Sequence, residues 1–142
     1  MTRPSDSPIL LIDDNPMDID LTLRAFARRN ITNPILVARD GAEALEWVQR
    51  WEAGEPLPVL ILLDLKLPRI DGLDVLRAFK GHPAVSSIPV VVITTSSEDS
   101  DIRNAYYLGA NSYLVKPADF DKFLQLVEQI ELYWILLNEP PR

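Results

Sequence analysis

Cysteine is absent from the 142 residues, and histidine occurs once, at His82. The first absence excludes disulfides and thiolate metal sites. The second leaves no imidazole set for zinc. His82 stands between Gly81 and Pro83 and is expected to be a solvated loop residue. Basic residues are in deficit, 14 Lys and Arg against 21 Asp and Glu, for a net charge of −7. That balance works against nonspecific DNA binding, so no nucleic-acid partner is expected, and it leaves protein partners or a cationic ligand. No apolar run approaches the ~18 residues of a membrane span. Residues Met1 to Ser7 are polar and contain proline, with no apolar signal core, which points to a cytoplasmic protein.

What is present suits one soluble globular domain over residues 1–142, with 47% hydrophobic and 25% charged residues. Five short apolar runs, Pro8–Ile12, Pro34–Ala38, Val59–Leu63, Pro89–Ile93 and Ser112–Val115, alternate with longer amphipathic stretches. The first, third and fourth are almost uninterrupted Ile, Leu and Val, as in strands buried on both faces of a parallel sheet. The intervening stretches carry helix-start signals. Asn15-Pro16 is a cap followed by proline at the first helical position. Asp40-Gly41-Ala42-Glu43 fits a capping box, and Asp71 to Asp74 repeats its spacing more weakly. Asp99 to Leu108 places Ile102, Ala105 and Tyr106 on one face, and Phe120 to Leu137 is the longest helical stretch. Strand and helix alternate five times, which predicts a doubly wound α/β fold: a five-stranded parallel sheet in the flavodoxin-like order 2-1-3-4-5 with five flanking helices.

Ligands of such sheets bind outside the carboxyl ends of the strands. There the sequence places Asp13 and Asp14 after strand 1, Asp64 after strand 3, Thr94 and Thr95 after strand 4, and Lys116-Pro117 after strand 5. Each has an ordinary structural explanation: a turn aspartate, a helix cap, a strand threonine, a solvated lysine. Their co-occurrence on one rim is the signal. Carboxylates 4 Å apart at an effective dielectric near 20 repel by about 4 kcal/mol per pair. Lys116 offers one compensating charge, and Mg²⁺, which takes carboxylates, waters and phosphate oxygens, is the natural other. A carboxylate can act as nucleophile and form an acyl phosphate, with metal and lysine neutralising the phosphoryl oxygens.

The text Leu10-Leu11-Ile12-Asp13-Asp14-Asn15-Pro16, then Leu62-Leu63-Asp64-Leu65-Lys66-Leu67-Pro68-Arg69-Ile70-Asp71-Gly72, resembles the receiver domains of two-component signalling, the CheY-like family. So do Val91-Val92-Ile93-Thr94-Thr95 and Leu108-Gly109-Ala110-Asn111-Ser112-Tyr113-Leu114-Val115-Lys116-Pro117. The separations, 50 residues from Asp14 to Asp64, 30 to Thr94 and 22 to Lys116, also resemble the family's. The resemblance implies a phosphoacceptor switch rather than an enzyme acting on other substrates, catalysing only its own phosphorylation and dephosphorylation. It implies that Asp64 accepts the phosphoryl group from a sensor histidine kinase, and that Asp14 binds Mg²⁺ directly and Asp13 through water. The Lys66 backbone carbonyl supplies a further ligand beside Asp64. Thr94 meets a phosphoryl oxygen, Lys116 pairs with the phosphate, and its bond to Pro117 is cis. Tyr113 is the aromatic that rotates inward with Thr94, and Asp71-Gly72 shapes the loop after Asp64. Departures are small: Thr95 stands where many members have alanine, and Lys66 and Ser96 occupy positions that vary.

Phe120, Phe123, Val127, Ile130, Trp134 and Leu137 follow a 3-4-3-4-3 spacing, an a/d-like seam. From Leu132 to Leu137 every position is apolar, more than one helix face needs, so an apolar extension at about 131–142 is expected to mediate a homodimer. Tyr133 and Trp134 are its expected anchors. This end resembles the small single-domain regulators that work with phytochrome-type kinases, which makes a bacteriophytochrome a candidate partner. In that resemblance the last strand, last helix and extension build the dimer. Rival readings fare worse. An aspartyl phosphatase needs a second acid two residues after its nucleophile, where Lys66 stands. A flavin binder would set its phosphate against Asp13-Asp14. A degenerate receiver acting as a phosphorylation-independent binding module would not need the full residue set, and a transcription factor would need a DNA-binding module beyond these residues.

Overall fold

A computed structural model describes residues 7–137, with side chains through position 135. Five parallel strands form one sheet in the order β2-β1-β3-β4-β5. The chain runs β1 (Ile9–Ile12), α1 (Pro16–Arg28), β2 (Ile35–Ala38), α2 (Gly41–Glu52), β3 (Leu60–Leu63) and α3 (Gly72–Gly81), then β4 (Val90–Thr94), α4 (Asp99–Tyr107), β5 (Ser112–Val115) and α5 (Phe120–Ile130). This is the architecture the alternation predicts. Prolines 8, 34 and 89 each precede a strand, where a missing N–H costs nothing. Their carbonyls still accept from Val59, Ile9 and Ile61.

Every residue of β1, β3 and β4 is buried because the sheet is covered on both sides. Side chains alternate between two cores. Leu10, Ile12, Ile61 and Leu63 face Trp47, Trp51, Leu76 and Phe79 of α2 and α3. Ile9, Leu11, Leu60 and Leu62 face Phe26 of α1 and Phe123, Val127 and Ile130 of α5.

The helix starts follow the capping signals. Asn15 accepts from the N–H groups of Met17 and Asp18. Asp40 accepts from Glu43 N–H at 2.7 Å, while the Glu43 carboxylate reaches back to Arg39 N–H, one residue earlier than a capping box has it. Asp71 accepts from Leu73 N–H. On α4, Ala105 is buried but Tyr106 is half exposed, so that helix rests on the sheet along a narrower stripe than its sequence suggests.

Two sequence expectations are corrected. His82 is a loop residue just past α3, as expected, but not a freely solvated one: it accepts from Ala84 N–H on Nδ1, and thereby presents Nε2–H to Glu52, 2.7 Å away on α2. Nor does the last helix continue in α form. After Ile130 the chain winds as a π-helix over Glu131–Leu137. The wider turn breaks the 3-4 seam. Trp134 and Ile135, neighbours in sequence, both pack on the domain's own core, and Leu132 and Tyr133 turn outward, about half exposed. The Leu137 side chain lies outside the described residues. The turn begins at Glu131, which is buried and accepts on Oε1 at 3.2 Å from Nε of Arg29, the residue that caps the end of α1.

Among the described residues no helix is long and apolar enough to cross a membrane. Replacing Arg29 by alanine strands the Glu131 carboxylate and should cost roughly 1–3 kcal/mol of unfolding free energy in urea denaturation. Adding Glu131→Leu should recover most of that loss, since removing both partners leaves no buried charge. An equal or larger loss in the double variant would show that the pair does not seat the segment.

Candidate functional site

The carboxyl ends of the strands carry the sheet's hydrogen bonding one residue further, and this aims the functional side chains. Asp13 N–H donates to Ala38 C=O, Asp64 N–H to Ile12 C=O, and Lys116 N–H to Thr94 C=O. Asp13, Asp64 and Lys116 therefore leave the rim side by side. The Lys116 ammonium lies 2.9 Å from Asp13 Oδ2, 2.8 Å from Asp18 Oδ2 and 2.8 Å from Asp64 Oδ2. Its side chain is 6% exposed. Three N–H donors on three carboxylates exhaust the group. The second oxygens are also held: Asp13 Oδ1 by Asn15 N–H and Asp64 Oδ1 by Lys66 N–H, both at 3.0 Å.

Thr94 ends β4 on the same rim. It is fully buried, and among the described residues its hydroxyl has no hydrogen-bond partner. The loop after Asp64 is squeezed between two glycines. A Cβ on Gly72 would come within 2.5 Å of the Asp64 carbonyl oxygen, and one on Gly41 would strike the Ile70 backbone. Only glycine lets α2 and α3 start this close to the loop.

Charge at the rim is unbalanced. Burial alone would lower the Lys116 pKa, but its bonds to Asp13, Asp18 and Asp64 outweigh that and hold it above the ordinary lysine value. Burial pushes Asp13 up, the bonds from Lys116 and Asn15 offset only part of this, and the Asp64 charge adds to it. One ammonium thus does not satisfy the carboxylates around it. Asp13, Asp14 and Asp64 each place an oxygen within 4.8 Å of the others, with Asp14 exposed to solvent. An all-oxygen set with one open, wet side fits a hard divalent cation that keeps several waters.

The model of the response regulator receiver domain matches residues 9–128. The chain belongs to that family. The probable methanogenesis regulatory protein FilR2 of Methanothrix harundinacea is 44% identical over 134 residues, 94% of this chain and 86% of that one. The phosphorylated cyanobacterial phytochrome response regulator RcpA superposes with a TM-score of 0.91 at 37% identity, covering 96% and 99% of the two chains. The Mn²⁺-bound form of response regulator Rcp1, a Synechocystis protein, gives 0.89 at 35% identity with the same coverage. The protein is thus a two-component response regulator receiver, and its acidic cluster is a set of groups that could hold a divalent cation.

The receiver brings together Asp13, Asp14, Asp64, Thr94 and Lys116 as the sequence reading placed them. Lys66 is in register, and no hydrogen bond among the described residues uses its carbonyl. Tyr113 is half-buried against the α2–α3 core, donates its hydroxyl to Ser96 C=O at 2.8 Å, and is pushed up in pKa chiefly by burial. The Lys116–Pro117 bond, expected cis, is trans, as are all peptide bonds among the described residues. The two isomers of an X–Pro bond differ by only about 0.5–1 kcal/mol, so sequence alone does not decide between them.

Two rim residues escaped the sequence reading. Asp18, in the first turn of α1, is the third carboxylate on Lys116. Asp101, in the first turn of α4, accepts from Ser96 Oγ at 2.5 Å and lies 3.5 Å from Lys66 Nζ.

Asp13 has a folded pKa above its ordinary value of 3.8. Its contribution to stability is therefore present in acid and lost as pH rises through the folded value. A cation bound to the ionised cluster reverses that loss. At pH 7 and a hundredfold excess over its Kd, Mg²⁺ should raise the melting midpoint by roughly 5–10 °C. Near pH 4 the increment should vanish. A calorimetric increment of the same size at both pH values would refute the cluster.

Proposed function

We propose that Asp64 is the acceptor of a phosphoryl group carried by a phosphohistidine of a sensor histidine kinase. The observation that carries this reading is the Lys116 ammonium bridging Asp64 and Asp13, on the same rim as Thr94, whose buried hydroxyl has no partner among the described residues. An Asp64 oxygen attacks phosphorus, the N–P bond breaks, and the imidazole leaves with the bonding pair. The product is an acyl phosphate. Lys116 then faces a phosphoryl oxygen, and Thr94 gains the acceptor its hydroxyl lacks. Asp13, Asp14, Asp64 and the Lys66 carbonyl would hold magnesium, which would supply neutralising charge to the phosphoryl oxygens. Water attack on the same phosphorus releases inorganic phosphate and returns the free carboxylate, so the chain catalyses only its own phosphorylation and dephosphorylation. The rise of charge at Asp64 is relayed through Thr94 to Tyr113.

A groove beside the rim, lined by Met17, Leu21, Pro117 and Phe120, is where the kinase's histidine-bearing surface docks. Met17 is 74% exposed there without a structural need. The similarity to RcpA supports a phytochrome-type kinase as that partner in the cytoplasm. Acetyl phosphate with Mg²⁺ should add one phosphoryl mass to the protein. An Asp64→Asn variant that gained the same mass at the same rate would overturn the assignment.

The π-helical segment supports a homodimer as well. Phe123, Val127 and Ile130 are consumed by the domain's own core, Trp134 packs on it, and Phe120 lines the groove, so of the expected anchors with described side chains Tyr133 is the one left facing outward. Leu132 and Tyr133 form an apolar step, each about half exposed, and Tyr133 stacks edge-on to Trp134 with ring centres 4.9 Å apart. A two-fold contact would cover this step in both copies. Leu132→Ser with Tyr133→Glu should halve the mass seen in light scattering while far-UV circular dichroism stays that of the folded domain. A wild type that scatters as a monomer at tens of micromolar, with and without phosphodonor, would refute the dimer.

A further inference from the structure

Asp101 has no part in the chemistry above, yet one of its oxygens joins two loops of the site. Oδ2 accepts from Ser96 Oγ at 2.5 Å and sits 3.5 Å from Lys66 Nζ. Lys66 belongs to the loop after β3, where its N–H holds Asp64 Oδ1. Ser96 belongs to the loop after β4, where its carbonyl takes the Tyr113 hydroxyl. A continuous polar path thus runs from Asp64 through Lys66, Asp101 and Ser96 to Tyr113. The side chain of Asp101 is 17% exposed and that of Lys66 62%.

We propose that Asp101 is a positioning residue that holds Lys66 in the unphosphorylated state, and that a phosphoryl group on Asp64 competes for Lys66 and releases it. The proposal rests on Asp64 being the acceptor. Lys116 has all three donors committed to carboxylates, so it meets added negative charge on Asp64 only by giving one of them up. Lys66 is the next cation, two residues along the chain. Its single ion pair is long and wet, the kind that is weakly held. Once Lys66 turns to the phosphoryl group, Asp101 keeps only Ser96. The first turn of α4 is then uncoupled from the loop after Asp64. The release acts on the segment that carries the acceptor of Tyr113.

The test uses beryllium fluoride as a reversible phosphoryl mimic at fixed Mg²⁺, titrated against the full chain and read from the Tyr113 ring signals by NMR. Asp101→Asn keeps an acceptor for Ser96 and removes only the negative charge that pairs with Lys66. It should lower the half-saturating concentration by about three- to fivefold, the worth of one exposed ion pair. Lys66→Met should raise it. In the Lys66→Met background, Asp101→Asn should lose more than half of its effect on a logarithmic scale. The proposal is overturned if Asp101→Asn leaves the wild-type titration unchanged, or if half or more of its effect persists without Lys66. A titration that is equally saturable in Asp64→Asn refutes the acceptor assignment itself and removes the basis of the latch, an outcome distinct from the other two.

Discussion

The ammonium of Lys116 sits within 2.9 Å of three carboxylates and is almost out of water. Burying a charge is costly unless it is paired, and here each partner is a charge that needs pairing itself. Asp13, Asp18 and Asp64 come from three different segments, and none would tolerate the others at this distance without the lysine. The arrangement still carries an excess of negative charge, and burial above all, with the Asp64 charge adding to it, makes Asp13 ionise less readily than a free carboxylate. A rim built this way is stable enough to fold and incomplete enough to bind a divalent cation. The same shortage of cations makes it responsive when more negative charge arrives on Asp64.

That balance depends on backbone placed to within a few tenths of an ångström. The doubly covered sheet supplies it, because β1, β3 and β4 are packed on both faces and their ends do not shift independently. The loop after Asp64 is fixed differently, by close approach of α2 and α3 through Gly41 and Gly72. Rigid strand ends hold the nucleophile and its lysine. The loop after β4 is held by side-chain bonds through Ser96 and Asp101, which break more easily than packed cores.

Much of this was legible in the sequence because the strongest signals were local. Uninterrupted Ile, Leu and Val runs announced strands buried on both sides. Asn15-Pro16 and Asp40 announced helix starts, and a residue after each central strand announced the rim. Asp18 and Asp101 were missed for one shared reason. An acid in a helix's first turn is explained by the helix dipole, so neither raised suspicion. Yet in a βα repeat every helix begins at the carboxyl edge, so a first-turn acid is always a candidate rim residue. The π-turn at Glu131 was invisible because its cause, the Arg29 partner, lies 102 residues away. The His82–Glu52 clasp joins the ends of two helices that no local pattern pairs.

Helix α5 connects the two ends of the molecule. It starts just after Lys116-Pro117 at the charged rim and ends at Glu131, where Arg29, which caps the end of α1, seats the π-helical segment at the opposite edge. Its inward face is consumed by Phe123, Leu124, Val127 and Ile130 against the sheet. A helix held along its whole length is a poor moving part, since shifting it would disturb a core packed like a crystal. The parts that can respond to charge at Asp64 are instead α4, which buries only Ala105, and the half-buried edge strand β5. The proposed dimer step at Leu132 and Tyr133 is anchored through α5 and α1, while the proposed latch acts through α4. On this layout assembly and switching use different edges of one sheet, and a phosphoryl group would reshape the surface presented by a pair of copies without having to create the pair.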